Sequence, residues 1–233
     1  MRPSKIFIVR HGESEGNIDK SVYGTKPDYA VRLTPKGIEQ SFEAGKSLVS
    51  RMVDNGEGKK NCIIYHSPYI RAIETTNHII RGMKPDVVLT RDMVIEEPRL
   101  REQEWHSTTP LSDYTKQAES DRVGYGIFHY QFPFGESCAH VFDRLCGYVT
   151  DMGLSFQQSS KFPPNLIIVT HGMTMRVLLM KIFGKTVSEF ETWRNPHNCQ
   201  ILELTKEKVH YHFDFETLRK RPLAHEHSLQ IEV

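Results

Sequence analysis

Ile6-Phe7-Ile8-Val9-Arg10-His11-Gly12-Glu13 is the stretch from which the rest of the chain is read. Ile6 to Val9 is a short, largely β-branched apolar run, which predicts a strand buried on both faces rather than a helix. The polar residues then fall at the strand's C-terminal end, the edge where open α/β sheets bind ligands. Gly12 lets the backbone turn sharply and approach a bound group. Arg10 offers a planar fork suited to phosphate. His11 can attack as a neutral imidazole near pH 7. A strand with a nucleophile and an anion clamp at its tip predicts an active site.

Working outward, two more apolar strands end in the same way. Asn61 to His66 leads into Ser67-Pro68, which opens a helix to about Ile80 with Arg71 in its first turn. Leu166 to Thr170 ends at His171-Gly172, and a helix follows over Thr174 to Phe183. Thr34 as N-cap and Pro35 at the first helical position start a helix that runs to about Val53. Ser137 caps another, to about Leu154. Glu13 to Lys20 reads as a short helix or loop over the pocket, and Val22 to Asp28 as loop. Val87 to Thr90 reads as a third short strand, and Ile201–Leu204 with Val209–Phe213 as a hairpin of edge strands. Alternating strands and helices predict α/β architecture, with a parallel sheet covered on both faces. Neighbouring strand tips then share one edge, which would gather Arg10, His11, Arg71 and His171. No internal repeat or low-complexity linker appears, so residues 1–233 read as one domain, with a loose tail from about Thr217.

The 233 residues carry 30 Lys plus Arg against 29 Asp plus Glu. That balance gives no global attraction to nucleic acid or membrane, so any positive potential must be local. No apolar run approaches the roughly 18 residues of a membrane span. Met1 to Lys5 leads straight into the first strand, which argues against a signal peptide. Cys62, Cys138, Cys146 and Cys199 lack metal or redox spacing and read as reduced thiols of a cytoplasmic protein.

Arg10-His11-Gly12-Glu13 resembles the N-terminal motif of the histidine phosphatases, the superfamily that includes the cofactor-dependent phosphoglycerate mutases. Ser67-Pro68-Tyr69-Ile70-Arg71-Ala72, Leu100-Arg101-Glu102 and Val169-Thr170-His171-Gly172 agree with that family in order. The resemblance runs from about Lys5 to about Asp214. It implies a three-layer α/β/α sandwich around a six-stranded, mostly parallel sheet of the phosphoglycerate-mutase-like type. Pro98 to Glu104 and Phe132 to Ser137 look most like the eukaryotic phosphoglycerate-mutase-like phosphatases.

The resemblance also implies roles. His11 would be the nucleophile, Arg10 and Arg71 the phosphate cage, and His171 a donor to phosphate oxygens as neutral ring or imidazolium. Glu102 would be the proton donor. Asn17 matches a position that touches phosphate, and Gly24 and Gly172 are assigned to substrate binding. Trp105 would wall the acid, Glu136 and Ser137 fit a family helix-start pattern with a supporting role, and His106 departs from a common family glycine. The implied reaction is hydrolysis of a small phosphate monoester through a phosphohistidine, with no metal and no cofactor. The rivals are a phosphoglycerate mutase with the same pocket and a non-catalytic phospho-ligand binder, for which both nucleophile and acid would be superfluous. The pairs His210/His212 and His225/His227 lack a third ligand and read as solvated histidines. Tyr125 to Phe134 reads as a hydrophobic cap over the sheet, or as a stacking surface for a substrate ring.

Overall fold

The computed structural model describes residues 2–55, 58, 60–87, 89–105, 113–159, 162–208 and 210–219. In chain order the strands are β1 (Lys5–Arg10), β2 (Cys62–His66), β3 (Val94–Glu96), β4 (Asn165–Thr170), β5 (Ile201–Glu207) and β6 (His210–His212). The helices are α1 (Glu15–Ile18), α2 (Pro35–Arg51), α3 (Ile70–Met83), α4 (Asp113–Tyr125), α5 (Cys138–Gln158), α6 (Gly172–Phe183) and α7 (Val187–Glu191). One sheet has the order β3-β2-β4-β1-β5-β6. The pairings from β3 through β1 are parallel, and β5 and β6 are added antiparallel.

Strand alternation builds the two outer layers. Ile6 and Ile8 of β1, with Leu166 and Ile168 of β4, pack against Leu145, Tyr148 and Leu178 of α5 and α6. Phe7, Val9, Ile167 and Val169 face the other way, onto Leu48, Ile79 and Met83 of α2 and α3. All six residues of β4 are buried, as its central place requires. Each fully buried large apolar side chain contributes about 1.5–3 kcal/mol relative to exposure. Gly45 of α2 and Gly82 of α3 let these helices touch backbone to backbone, since a Cβ on either would collide with a carbonyl of the other helix.

The predicted helix starts at Thr34 and Ser137 are found: Gly37 N donates to Thr34 Oγ1 at 3.1 Å, and His140 N to Ser137 Oγ at 3.3 Å. Three expectations are corrected. The strand expected at Val87–Thr90 lies instead at Val94–Glu96. Val87 makes only an isolated parallel bridge to Lys60, while Val94 pairs with Ile64. From Lys60 to Ile64 β2 advances four residues while the facing chain advances seven, 87 to 94, so the surplus loops out through the 3-10 turn Arg91–Met93. Val88 lies outside the described residues.

The C-terminal hairpin exists, but β5 is not an edge strand, because it pairs with β1 on one side and β6 on the other. Residues 217–219 are docked rather than loose. Leu218 is fully buried, Arg194 N donates to Leu218 O at 2.7 Å, and Phe215 stacks on Trp193 at 4.9 Å. Residues 220–233, with His225 and His227, lie outside the described residues. Among the described residues no helix is long and apolar enough to cross a membrane.

Candidate active site

Register brings the motifs together. Arg10 of β1 pairs with Thr170 of β4, so the next residues, His11 and His171, emerge side by side with ring centroids 5.2 Å apart. His66 of β2 pairs with Val169, and Ser67 N donates to Val169 O at 3.0 Å, which sets Ser67 beside His171. Beyond β3 the chain returns along this edge: Glu97 N donates to His66 O at 2.8 Å, and Thr170 Oγ1 to Leu100 O at 2.6 Å. Glu102 follows directly.

His11 is buried. Its Nδ1 lies 2.7 Å from Gly12 O, and since a carbonyl can only accept, Nδ1 carries the proton and Nε2 keeps its lone pair. Gly12 N donates to Thr75 Oγ1 at 3.0 Å, fixing the turn. A side chain at Gly12 would strike the Gly37 carbonyl. Burial first, then the charges of Arg71 and Arg10, hold His11 well below the ordinary histidine range, so the ring is neutral.

Arg71 is 3% exposed. Its Nη1 donates to Asp28 O at 2.6 Å and Asp28 Oδ1 at 2.8 Å, and its guanidinium lies 5.0 Å from the Tyr69 ring centroid. Arg10 Nη1 donates to Pro196 O at 2.6 Å, while its buried Nε has no partner. Tyr69 meets His171 edge-on at 5.1 Å. Burial, with Asp28 adding to it, pushes the Tyr69 phenol up to about 12. Tyr23, packed against Gly16, is raised for the same two reasons.

Glu102 docks on the N-terminus of α6. Oε1 accepts from Gln103 N at 3.0 Å, Thr174 N at 3.1 Å and Thr174 Oγ1 at 3.0 Å, and Oε2 from Met173 N at 3.3 Å. A carboxylate there meets otherwise unpaired helix N–H groups. Behind it Arg144 donates to Glu102 O at 3.1 Å and is held by Glu136, which also receives Arg101. Glu104, two residues on, is exposed, and its backbone pairs with Glu136. Trp105 packs edge-on against Phe132 at 4.9 Å, with Arg122 over its ring. His106 lies outside the described residues. Phe128, from the aromatic segment, joins Phe190 in the core, as a cap would.

Asn17 is tied to the His11 backbone through Asn198, whose Nδ2 donates to Asn17 Oδ1 at 2.9 Å and His11 O at 3.1 Å. Gly172 is the buried first residue of α6, where a Cβ would sit 3.2 Å from Asn195 Cγ. Gly24 closes the 3-10 turn Lys20–Gly24, is exposed, and a Cβ there would meet nothing within 4 Å. The neighbouring Tyr23 is half-buried against Gly16.

Sequence reading passed over Asp28, Thr75, Thr174 and Asn198. Thr75 lies one helical turn after Arg71 and Thr174 three residues after His171, so spacing could have found them. Asp28 and Asn198 come from loops and carry no local signal. Among the described residues, no three His, Cys, Asp or Glu side chains converge on a position that could hold a metal ion.

The chain is 37% identical over 215 residues to phosphoglycerate mutase-like protein AT74H of Arabidopsis thaliana, covering 88% of this chain and 75% of that one. It is 26% identical to the broad-range acid phosphatase DET1 of Saccharomyces cerevisiae, covering 86% and 85%. A solved mycobacterial glucosyl-3-phosphoglycerate phosphatase superposes with a TM-score of 0.68 at 18% identity, over 91% of this chain and 97% of that one, a likeness of fold. The model of the histidine phosphatase superfamily, branch 1, matches residues 6–216. A matched family model over nearly the whole length, on a sheet edge that joins both histidines, makes this chain a member of the histidine phosphatase superfamily.

Proposed function

We propose that this protein is a phosphatase that hydrolyses phosphate monoesters through a phosphohistidine on His11. The observation that carries the reading is the His11 Nδ1–H bond to Gly12 O in a buried, neutral ring, which leaves Nε2 as the nucleophile. Nε2 attacks phosphorus, the bond from phosphorus to the ester oxygen breaks, and protonated Glu102 gives its proton to the departing alkoxide. Glu102 then takes a proton from water, whose oxygen attacks phosphorus. The N–P bond breaks, and orthophosphate leaves. A ring phosphorylated at Nε2 becomes cationic, and its Nδ1–H bond to Gly12 O supports that charge. Arg10, Arg71 and His171 offset the charge on the equatorial oxygens, which is most of what phosphoryl transfer asks of a protein. With that charge supplied by side chains, the mechanism needs no metal. Four unpaired cysteines favour the cytoplasm as its compartment.

The test is acid quenching after mixing with labelled substrate. The expected label on protein is stable in base, labile in acid and absent from His11→Ala. Base-labile label would point to a carboxylate nucleophile, and tight binding with neither label nor turnover to a binding protein. Given 3-phosphoglycerate and a bisphosphoglycerate primer, the protein should release orthophosphate. Rapid formation of 2-phosphoglycerate would favour a mutase.

A further inference from the structure

Ser67 and His171 form a pair that the reaction above does not explain. Both are fully buried. Ser67 Oγ lies 2.7 Å from His171 Nε2, and Tyr69 N donates to the same oxygen at 3.3 Å. The backbone bond from Tyr69 takes one of the two lone pairs of this oxygen, and among the described residues Ser67 Oγ has no hydrogen-bond partner besides Tyr69 N and His171 Nε2, so no other acceptor is within reach of its hydrogen. Its single hydroxyl hydrogen then has His171 Nε2 as its acceptor at hydrogen-bond distance. The other ring nitrogen, Nδ1, is buried with no hydrogen-bond partner.

We infer that Ser67 is a positioning residue that fixes the tautomer of His171, so that neutral His171 carries its proton on Nδ1 and presents that N–H to a phosphate oxygen. A hydroxyl that donates to Nε2 requires a lone pair there. A neutral imidazole has one N–H, which must then be at Nδ1. An unpaired buried N–H is unfavourable, and the phosphate oxygen supplies the missing acceptor. The imidazolium is excluded by the same bond, since Nε2 cannot both carry a proton and accept one. The surroundings agree: burial and the cations Arg71, Arg10 and Arg144 hold His171 well below the ordinary histidine range.

Two histidines at neighbouring strand tips therefore use opposite arrangements. His11 gives its Nδ1–H to a backbone carbonyl and keeps Nε2 bare to attack. His171 receives a hydroxyl at Nε2 and keeps Nδ1–H free to donate. If the serine were absent, His171 could place its proton on Nε2, and a lone pair at Nδ1 would face the phosphate and repel it. The inference rests on the phosphate-site reading, and the two can fail separately.

The test is long-range 1H–15N NMR of 15N-histidine-labelled protein at pH 7, with His171 assigned by difference from His171→Gln, with and without orthovanadate. The expected pattern for His171 is Nδ1 protonated and Nε2 bare in both states. Ser67→Ala should shift His171 toward the Nε2-protonated form and weaken orthovanadate binding at least fivefold. Ser67→Thr, which keeps the hydroxyl, should restore both. A wild-type His171 protonated on Nε2, or on both nitrogens, would overturn the inference, and this reading does not depend on how the variants fold. A folded Ser67→Ala with unchanged tautomer and affinity would also overturn it. Failure of the wild type to bind orthovanadate at all would instead sink the phosphate-site reading.

Discussion

Arg71 reaches Asp28 twice through one nitrogen, Nη1, at 2.8 Å from the carboxylate Oδ1 and 2.6 Å from the backbone carbonyl. Asp28 therefore sets the rotation of the guanidinium without engaging its whole fork. It also adds a negative charge beside a site read as holding a phosphate dianion. Asp28→Asn keeps an acceptor and removes the charge, so orthophosphate should inhibit several-fold more tightly while kcat changes little. Asp28→Ala leaves a buried cation short of an acceptor and should reduce kcat/KM by the equivalent of about 1–3 kcal/mol. Identical inhibition constants in wild type and both variants would remove Asp28 from the cage.

Glu102 should behave as an acid whose need depends on the leaving group. Glu102→Gln is expected to lose about 10²-fold or more toward alkyl phosphates, whose alkoxides need a proton, and far less toward p-nitrophenyl phosphate. Glu104→Gln should be mild with both, because Glu104 is exposed and its contacts with Glu136 are made by its backbone. A leaving-group-dependent loss in Glu104→Gln instead would move the role.

Acid should destabilise the fold. Both His11 and His171 are held well below the ordinary histidine pKa, chiefly by burial, so each is neutral when folded. Below about pH 6.5 the unfolded chain binds protons that the folded chain refuses. The stability these histidines preserve is thus present above that pH and lost as pH falls, by about 1.4 kcal/mol per pH unit for each ring. Urea midpoints between pH 7 and 5 should fall, and fall less in a His171→Gln variant. An equal fall in both would assign the acid sensitivity to other groups. The acid limb of kcat/KM should lie below pH 6.5, as a neutral nucleophile requires.

The contact of α2 with α3 should be intolerant of a single methyl. Gly82→Ala puts a Cβ against the Phe42 carbonyl and Gly45→Ala one against the Ile79 carbonyl, so neither clash can be relieved by a rotamer change. Each should destabilise by about 1–3 kcal/mol through forced backbone separation. Gly153→Ala, with open space around it inside α5, should be neutral or mildly stabilising. Equal thermal midpoints for Gly82→Ala and wild type would show that the helices can part without loss.

Much of this protein is written locally. Apolar runs ending in Arg10-His11, Ser67 and His171 predicted the strands and their functional tips, because in a parallel sheet every such run ends on the same edge. Helix starts at Thr34 and Ser137 were legible because an N-cap is a contact three residues long. Family motifs then supplied roles that spacing alone left open, as between Glu102 and Glu104. Which apolar segment becomes β3 was not written locally: Val87–Thr90 and Val94–Glu96 are both short apolar runs, and pairing with Ile64 to His66 selects between them. Nor was the place of β5, which depends on what β1 leaves unpaired. Asp28 on Arg71, Asn198 on His11 and Ser67 on His171 join residues 43, 187 and 104 positions apart. Contacts across such spans carry no periodicity. They arise only when the sheet register has set the strand tips side by side, and they are what aim the side chains that the motifs name.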